Sequence, residues 1–148
     1  MIGRMAGLRR VNFQDLVPEY DDADPDGYRA GMARFGPALG ASMMGASLYE
    51  LPPGQSICPY HYEYPDEEWL VVVEGRVSVR HPGGEEALGK GDIVCFPPGP
   101  EGAHKVSCLG DETATRRHDV HEAESRRSAS TRTAARTACG RATSETGS

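Results

Sequence analysis

The chain has 148 residues and a net charge of −6, and this length is sufficient for one domain with a hydrophobic core. The negative charge argues against nucleic acid as a partner, because phosphate binding needs a basic surface. The sequence predicts no membrane span, because it has no apolar run of about 18 residues. The first ten residues also lack the apolar segment of a signal peptide. We therefore expect a cytoplasmic protein.

The order of elements along the chain predicts an all-β domain. Residues 1–40 are expected to form an N-terminal arm and loops, because Pro, Asp and Gly cluster at 18–31. Residues 41–110 alternate short apolar segments with turns, which is typical of a sandwich or barrel. We expect a turn at 81–86, with His81 exposed to solvent. The predicted strands lie within 41–51, 56–64, 68–73, 76–80, 91–99 and 103–109, and the strand at 68–73 is expected to be either buried on both faces or central in its sheet.

The segment 111–148 has a different composition. Arg, Ala, Thr and Ser account for 26 of its 38 residues, and Val120 is its only large aliphatic residue. Such a segment buries too little surface to offset the entropy of ordering, so we expect disorder. A further hypothesis is that the segment is a frameshifted remnant, because a GC-rich gene read in the wrong frame gives this composition.

The four cysteines are Cys58, Cys95, Cys108 and Cys139, and none forms a C-x-x-C pair. Their spacing matches no zinc ribbon. We interpret them as reduced thiols of a cytoplasmic protein.

The stretch PYHYEYPDEEWLVVVEGR (59–76) contains the candidate metal ligands. Side chains alternate faces on a strand, so His61 and Glu63 are predicted to point the same way. The turn at Pro65 would return Glu68 on the neighbouring strand, and His104 follows about forty residues later. Two imidazoles with one or two carboxylates suit Mn, Fe, Zn or Ni and are too nitrogen-rich to favour Ca or Mg.

These residues fall in an order that resembles the two motifs of the cupin family. The family's first motif is Gly, His-x-His, Glu and Gly at short fixed gaps. The corresponding residues here are Gly54, His61, Glu63, Glu68 and Gly75.

The second motif of the family is Gly, Pro-x-Gly, His and Asn. The corresponding residues here are Gly91, Pro97, Gly99, His104 and Cys108. Both motifs occur in order within residues 54–108, and together they are stronger evidence for the fold than either alone.

The resemblance implies a double-stranded β-helix, a jelly-roll barrel, apparently incomplete at its C-terminal end because 111–148 offers no closing strands. It places His61, Glu68 and His104 at positions that bind metal. Glu63 stands where the family has its second His, and it is either a fourth ligand or an outer carboxylate that orients a ligand.

The function implied is that of a small cupin that binds a divalent metal ion and a small polar or anionic ligand. One hypothesis is a metal-dependent isomerase or oxygenase. The alternative is a non-catalytic small-molecule-binding cupin, because a fold does not determine an activity. A homodimer is a further expectation, since missing strands would leave an open sheet edge.

Overall fold

The computed structural model describes residues 7–110 and the backbone of residues 119–125, which form eight strands. In this part of the chain the helices are three-residue 3-10 turns at Phe13–Asp15, Pro37–Leu39 and Pro100–Gly102. The prediction of an all-β jelly roll is confirmed. The strands are β1 (Gly31–Arg34), β2 (Met44–Glu50), β3 (Glu68–Val72), β4 (Arg76–His81), β5 (Gly84–Gly89), β6 (Ile93–Phe96), β7 (Lys105–Cys108) and β8 (Asp119–Ser125).

The strands form two antiparallel sheets. One has the order β1-β2-β8-β3-β6, and the other has the order β5-β4-β7. In the first sheet, Glu68 pairs with Phe96, so the start of β3 lies beside the end of β6. In the second, Arg80 pairs with Lys105, so the end of β4 lies beside the start of β7.

The hydrophobic core includes residues from both sheets. Leu70 and Val72 alternate with more exposed neighbours on β3, as the period of a strand requires. Each buried aliphatic side chain of this kind contributes about 1.5–3 kcal/mol. The buried cluster comprises Leu51, Leu70, Val72, Val77, Val79, Phe96 and Val106.

β3 is central in its sheet, between β8 and β6, which is one of the two alternatives that the sequence left open. It is not buried on both faces, as the exposure of Trp69 shows. The residue is 45% exposed, whereas Leu70 is 1% exposed. A strand in a two-sheet sandwich turns one face towards the other sheet, so its second face is not part of the shared core. The sequence of β3 does not reveal this alternation of buried and exposed residues, because both faces of the strand carry apolar residues.

Two strands lie where the sequence predicted loops or a turn. β1 falls within residues 1–40 and pairs with β2. β5 falls partly within the expected turn and pairs with β4, with His81 opposite Gly84. Both strands are short, lie at sheet edges and carry few apolar residues, so neither has the alternation that predicts a strand. Their backbone hydrogen bonds to a neighbouring strand hold them in place.

The predicted strand at 56–64 is not regular in the structure. Ser56 and His61 each form an isolated bridge, to Ser107 and His104. Pro59 lies between them and cannot donate a backbone hydrogen bond, which interrupts a continuous ladder. The segment nevertheless runs beside β7, because the N–H of Ile57 donates to the carbonyl of Val106 at 3.0 Å.

β8 differs from the expectation of disorder for 111–148. Its seven residues pair with β2 on one side and β3 on the other. Any residue other than proline can supply the backbone groups of a ladder, so an arginine- and alanine-rich composition does not exclude a strand between two others. The rest of the predicted tail lies outside the described residues, and the frameshift hypothesis stays a prediction.

The cysteines also differ in part from the expectation of reduced thiols. Cys95 and Cys108 are free, whereas Cys58 is disulfide-bonded. Cys139 lies outside the described residues. A disulfide leaves no C-x-x-C signature, so spacing alone could not predict that Cys58 is oxidised.

None of the helices in the described part of the chain is long and apolar enough to cross a membrane.

Candidate metal-binding site

Three separate segments bring His61, Glu68 and His104 together. Glu68 begins β3, and His104 immediately precedes β7. His61 reaches the site from the irregular segment beside β7, where its N–H donates to the carbonyl of His104 at 3.1 Å. The N–H of His104 donates back to the carbonyl of His61 at 2.8 Å. This reciprocal bridge fixes the two histidines opposite each other.

Backbone carbonyls orient both imidazole rings. Nδ1 of His61 lies 2.8 Å from the carbonyl oxygen of Pro59, and Nδ1 of His104 lies 2.8 Å from that of Gly102. A carbonyl oxygen only accepts, so each Nδ1 must carry the hydrogen. In a neutral ring, Nε2 then carries the lone pair that can accept a hydrogen bond or bind a metal. A carbonyl partner on the far nitrogen is the usual arrangement behind a histidine that ligates a metal.

Both Nε2 atoms face the carboxylate of Glu68. Nε2 of His104 lies 3.2 Å from Oε2 of Glu68, and Nε2 of His61 lies 3.9 Å from the same oxygen. Two lone pairs that face a carboxylate repel each other unless a positive charge lies among them, either a proton or a metal ion. One ligand atom from each of the three residues lies within 4.8 Å of the others, so the group could hold a metal ion.

Burial strengthens the electrostatics of this cluster. His104 is 2% exposed and Glu68 is 6% exposed. A buried carboxylate is costly unless it is paired, hydrogen-bonded or bound to a metal. His61 is half-buried, so an ion or a small molecule would approach the cluster from the side of His61.

Glu63 lies beside the cluster, at its more exposed edge. Its Oε1 lies 4.0 Å from Nε2 of His61, and both side chains are 22% exposed. Its backbone is anchored because its carbonyl accepts from the N–H of Gly99 at 2.8 Å. This position is compatible with both roles that the sequence left open, a fourth ligand or an outer carboxylate.

The loop that carries His104 depends on Gly102. A Cβ at this position would collide with the carbonyl oxygen of Pro97, so a close approach of two backbone segments requires glycine. The carbonyl of Gly102 is the one that holds Nδ1 of His104. The proline- and glycine-rich break before β7 therefore orients a candidate ligand.

Phe96 connects the cluster to a cavity. Its ring stacks on the ring of His104, with centroids 3.6 Å apart and planes 11° from parallel. Phe96 also lines a cavity of about 210 Å³ between the β4–β5 hairpin and β6. The candidate ligands themselves do not line this cavity among the described residues.

Sequence reasoning missed His81 as a residue of this region. It was expected to be solvent-exposed in a turn, but it is the last residue of β4, it is partly buried and it lines the cavity. The signal was the alternation of Val77, Val79 and His81, which puts all three side chains on one face of β4. The glycines that follow His81 predict a turn, so His81 was not assigned to the strand.

The comparisons with known proteins agree with this fold. A family model described as "Cupin domain" matches residues 47–121. No curated protein matches the chain.

Three solved structures of similar fold come from bacteria. A candidate sugar phosphate isomerase of Acidithiobacillus ferrooxidans is 23% identical, with a TM-score of 0.67 over 80% of this chain and 76% of that one. A sugar phosphate isomerase of the cupin superfamily from Silicibacter pomeroyi is 22% identical, with a TM-score of 0.66 over 79% and 75%. A polyketide cyclase of Streptomyces resistomycificus is 20% identical, with a TM-score of 0.60 over 80% and 79%. At these identities the likeness shows the fold alone.

Proposed function

The chain belongs to the cupin family, and from this premise we propose that it binds one divalent metal ion through His61, Glu68 and His104. The observation that carries the proposal is the orientation of the two imidazoles. Both Nδ1 atoms face backbone carbonyls and both Nε2 atoms face one buried carboxylate. That arrangement leaves two nitrogen lone pairs and a negative charge directed at one point, which a cation would stabilise.

The donor set favours a transition metal. Two imidazoles with one carboxylate suit Mn, Fe, Zn or Ni, and Glu63 as a fourth ligand would favour the harder Mn or Fe. When bound, such an ion supplies a Lewis acid or an anchor for dioxygen, with coordination positions left for a ligand. The residues of this chain hold the ion, orient the imidazoles and keep Glu68 away from bulk water.

We propose a small polar ligand next to this site, and two classes of function for the protein. The first is a metal-dependent isomerase or oxygenase. The names of the structural neighbours include sugar phosphate isomerases and a polyketide cyclase, which supports small-molecule chemistry in this fold without selecting one reaction. The second is a non-catalytic cupin that binds a small molecule. The stacking of Phe96 on His104 does not select between the two classes, because a histidine binds a metal through the nitrogen lone pair in the plane of its ring.

Metal titration tests the metal site, which both proposed classes of function have in common. Chelator-stripped protein is titrated with Mn²⁺ and Zn²⁺ by calorimetry, and the bound metal is counted by elemental analysis. We expect about one ion per chain. A stoichiometry near zero for both ions would overturn the metal site. Oxygen consumption and isomerisation of aldose and ketose sugars by the loaded protein then separate the enzyme from the binding protein.

A homodimer is a second part of the proposal. β6 is an outer strand of the larger sheet, and an edge strand offers unpaired backbone groups, whereas the outer edge of β1 is bridged to Glu19 at Met32. Ile93 on β6 is 61% exposed, next to the half-exposed Trp69. Light scattering after size-exclusion chromatography would give the mass of a dimer, and a monomer at all concentrations would contradict it.

A cytoplasmic location remains a proposal from the sequence. The free thiols of Cys95 and Cys108 support it, whereas the disulfide of Cys58 weighs against it, because disulfides are rare in that compartment. Thiol titration of freshly lysed cells would decide whether Cys58 is oxidised there.

A further inference from the structure

The outer face of the smaller sheet carries two cations side by side. Arg80 of β4 pairs directly with Lys105 of β7. Both side chains point away from the core, because they alternate along their strands with the buried Val79 and Val106. Like charges directly opposite each other on neighbouring strands repel and are destabilising. The pair therefore costs the sheet stability unless a negative charge lies beside it.

The described part of the chain does not supply that negative charge. Neither Arg80 nor Lys105 forms an ion pair within residues 7–110. Glu85 pairs with Arg80 from the other neighbouring strand, but its carboxylate accepts from the hydroxyl of Ser78 instead. Residues 7–110 contain 16 Asp and Glu but 8 Lys and Arg, so this positive patch lies in an acidic domain. Its charge is left for an anion from solution to neutralise.

Two tyrosine rings position the cations. The guanidinium of Arg80 lies 4.8 Å from the centre of the Tyr60 ring, and Nζ of Lys105 lies 5.3 Å from the centre of the Tyr28 ring. Contacts of this kind attract a cation to a ring face without cancelling its charge. Lys105 and Tyr28 are also partly buried, which restricts the lysine further. Both positive charges are therefore in place before an anion arrives, which lowers the entropy lost on binding.

The hydroxyl of Tyr28 adds a neutral donor beside Lys105. Nζ of Lys105 donates to the oxygen of this hydroxyl across 3.4 Å. An ammonium group only donates, so the hydrogen of the hydroxyl remains available to an acceptor. Among the described residues no acceptor takes it. An anion that reaches Lys105 can therefore accept from the hydroxyl as well.

We infer that Arg80, Lys105 and Tyr28 bind the phosphate group of a small molecule on the outer face of the smaller sheet. A phosphate monoester carries about 1.5 to 2 negative charges at neutral pH and three acceptor oxygens, so it can accept from all three groups at once. Neighbouring strands lie about 4.8 Å apart, a span that one phosphate can bridge. The site lies on the other side of the strand from His104, because Lys105 follows His104 and alternates with it. The inference is therefore independent of the proposed metal site.

Inorganic phosphate is the first probe. It is titrated into the full chain after chelator treatment, so that it cannot bind through a metal ion, and binding is followed by amide NMR. We expect saturable shifts at millimolar concentration, centred on residues 78–80 and 105–107. Sodium chloride at the same ionic strength is the control and should not produce them. Equal shifts with chloride, or shifts centred elsewhere in the chain, would overturn the inference.

Variants separate the proposed contacts from an effect of net charge. Arg80→Gln and Lys105→Gln should each weaken phosphate binding by about fivefold or more. Tyr28→Phe keeps the ring beside Lys105 and should cost about threefold through the lost hydroxyl. Lys90→Gln removes the same charge from a lysine that is paired with Glu74, and it should keep the affinity of the parent. Equal weakening in Lys90→Gln, or parent-like affinity in both Arg80→Gln and Lys105→Gln, would refute the site.

Phenyl phosphate tests whether the site takes a phosphorylated molecule rather than the free ion alone. Arg80 is exposed, so an organic group on the phosphate can extend into solvent on that side. We expect the ester to bind at least as tightly as inorganic phosphate and to lose affinity in Lys105→Gln by the same factor. Binding of inorganic phosphate without binding of the ester would overturn the assignment to a phosphorylated small molecule.

Discussion

His61 and His104 face each other across a reciprocal pair of backbone hydrogen bonds, and their ring centroids lie 4.8 Å apart. The bridge couples two segments that are 43 positions apart in the sequence. It therefore positions both rings before any ion arrives. A site whose ligands are held in advance loses little entropy when it binds.

The first prediction concerns these two histidines. His61→Ala and His104→Ala should each weaken binding of Mn²⁺ or Zn²⁺ by more than about 100-fold, because each removes one of two nitrogen donors. Calorimetry on chelator-stripped protein measures the effect. His81→Gln lies outside the cluster and is the control that should keep the stoichiometry of the parent. Parent-like affinity in both alanine variants would refute the assignment of these ligands.

The second prediction separates the two roles of Glu63. If Glu63 only orients His61 from outside, Glu63→Gln should reduce the metal affinity by roughly 10–100-fold, as the loss of an outer partner does. If it is a fourth ligand, the loss should exceed that range, and the preference for Mn over Zn should fall because the site becomes less anionic. An unchanged affinity would place Glu63 outside the site altogether.

The fold and the candidate cluster could be predicted because apolar segments and motif spacing are both visible in the sequence. The strand signals at β2, β3, β4, β6 and β7 come from apolar residues that the core needs, and the structure has strands there. The prediction that His61, Glu63, Glu68 and His104 share a site came from their spacing and from the resemblance to cupins. In the structure, three of them form one cluster with Glu63 at its edge.

What the sequence could not predict depends on backbone pairing with distant residues. β1, β5 and β8 carry few large apolar side chains, so no hydrophobic pattern indicates them. Despite the irregular path at Pro59, His61 lies beside His104, because its partner is the backbone of His104. The cavity and the position of His81 follow from the closeness of β4, β5 and β6, which a local pattern does not contain.

The third prediction uses the two free thiols. Burial raises the pKa of Cys95, and the neighbouring Glu67 carboxylate raises it further. Burial also raises the pKa of Cys108, against a small lowering by a hydrogen bond from Gly110. The thiolate is the reactive form, so both residues should be alkylated more slowly than a free thiol at pH 8, with rates that still increase above pH 9.

Glu67→Gln provides the matched comparison for these thiols. Removing the carboxylate should speed the alkylation of Cys95 by iodoacetamide and leave the rate at Cys108 unchanged, as followed by mass spectrometry of the two peptides. An equal change at both residues would mean that the substitution altered the fold rather than the local charge.

The fourth prediction concerns the origin of residues 111–148. If the segment is a frameshifted remnant, one of the other two reading frames beyond about codon 112 should encode alternating apolar strands. Translating the gene in those frames is the measurement. Two frames without such a pattern would rule the frameshift out. The family match extends to residue 121, so part of this segment already aligns with the domain.

The last prediction tests the pairing of β8. Glu122 lies opposite Ser47 of β2 and opposite Leu70 of β3, in the middle of the larger sheet. Glu122→Pro removes a backbone donor from a strand that is paired on both sides, so it should lower the free energy of unfolding by about 1–3 kcal/mol. Glu122→Ala keeps the donor and is the control. Urea unfolding measures both, and hydrogen exchange of the parent should show protected amides within 119–125. If the proline and alanine variants unfold at the same urea concentration and these amides exchange freely, β8 does not hold the sheet together.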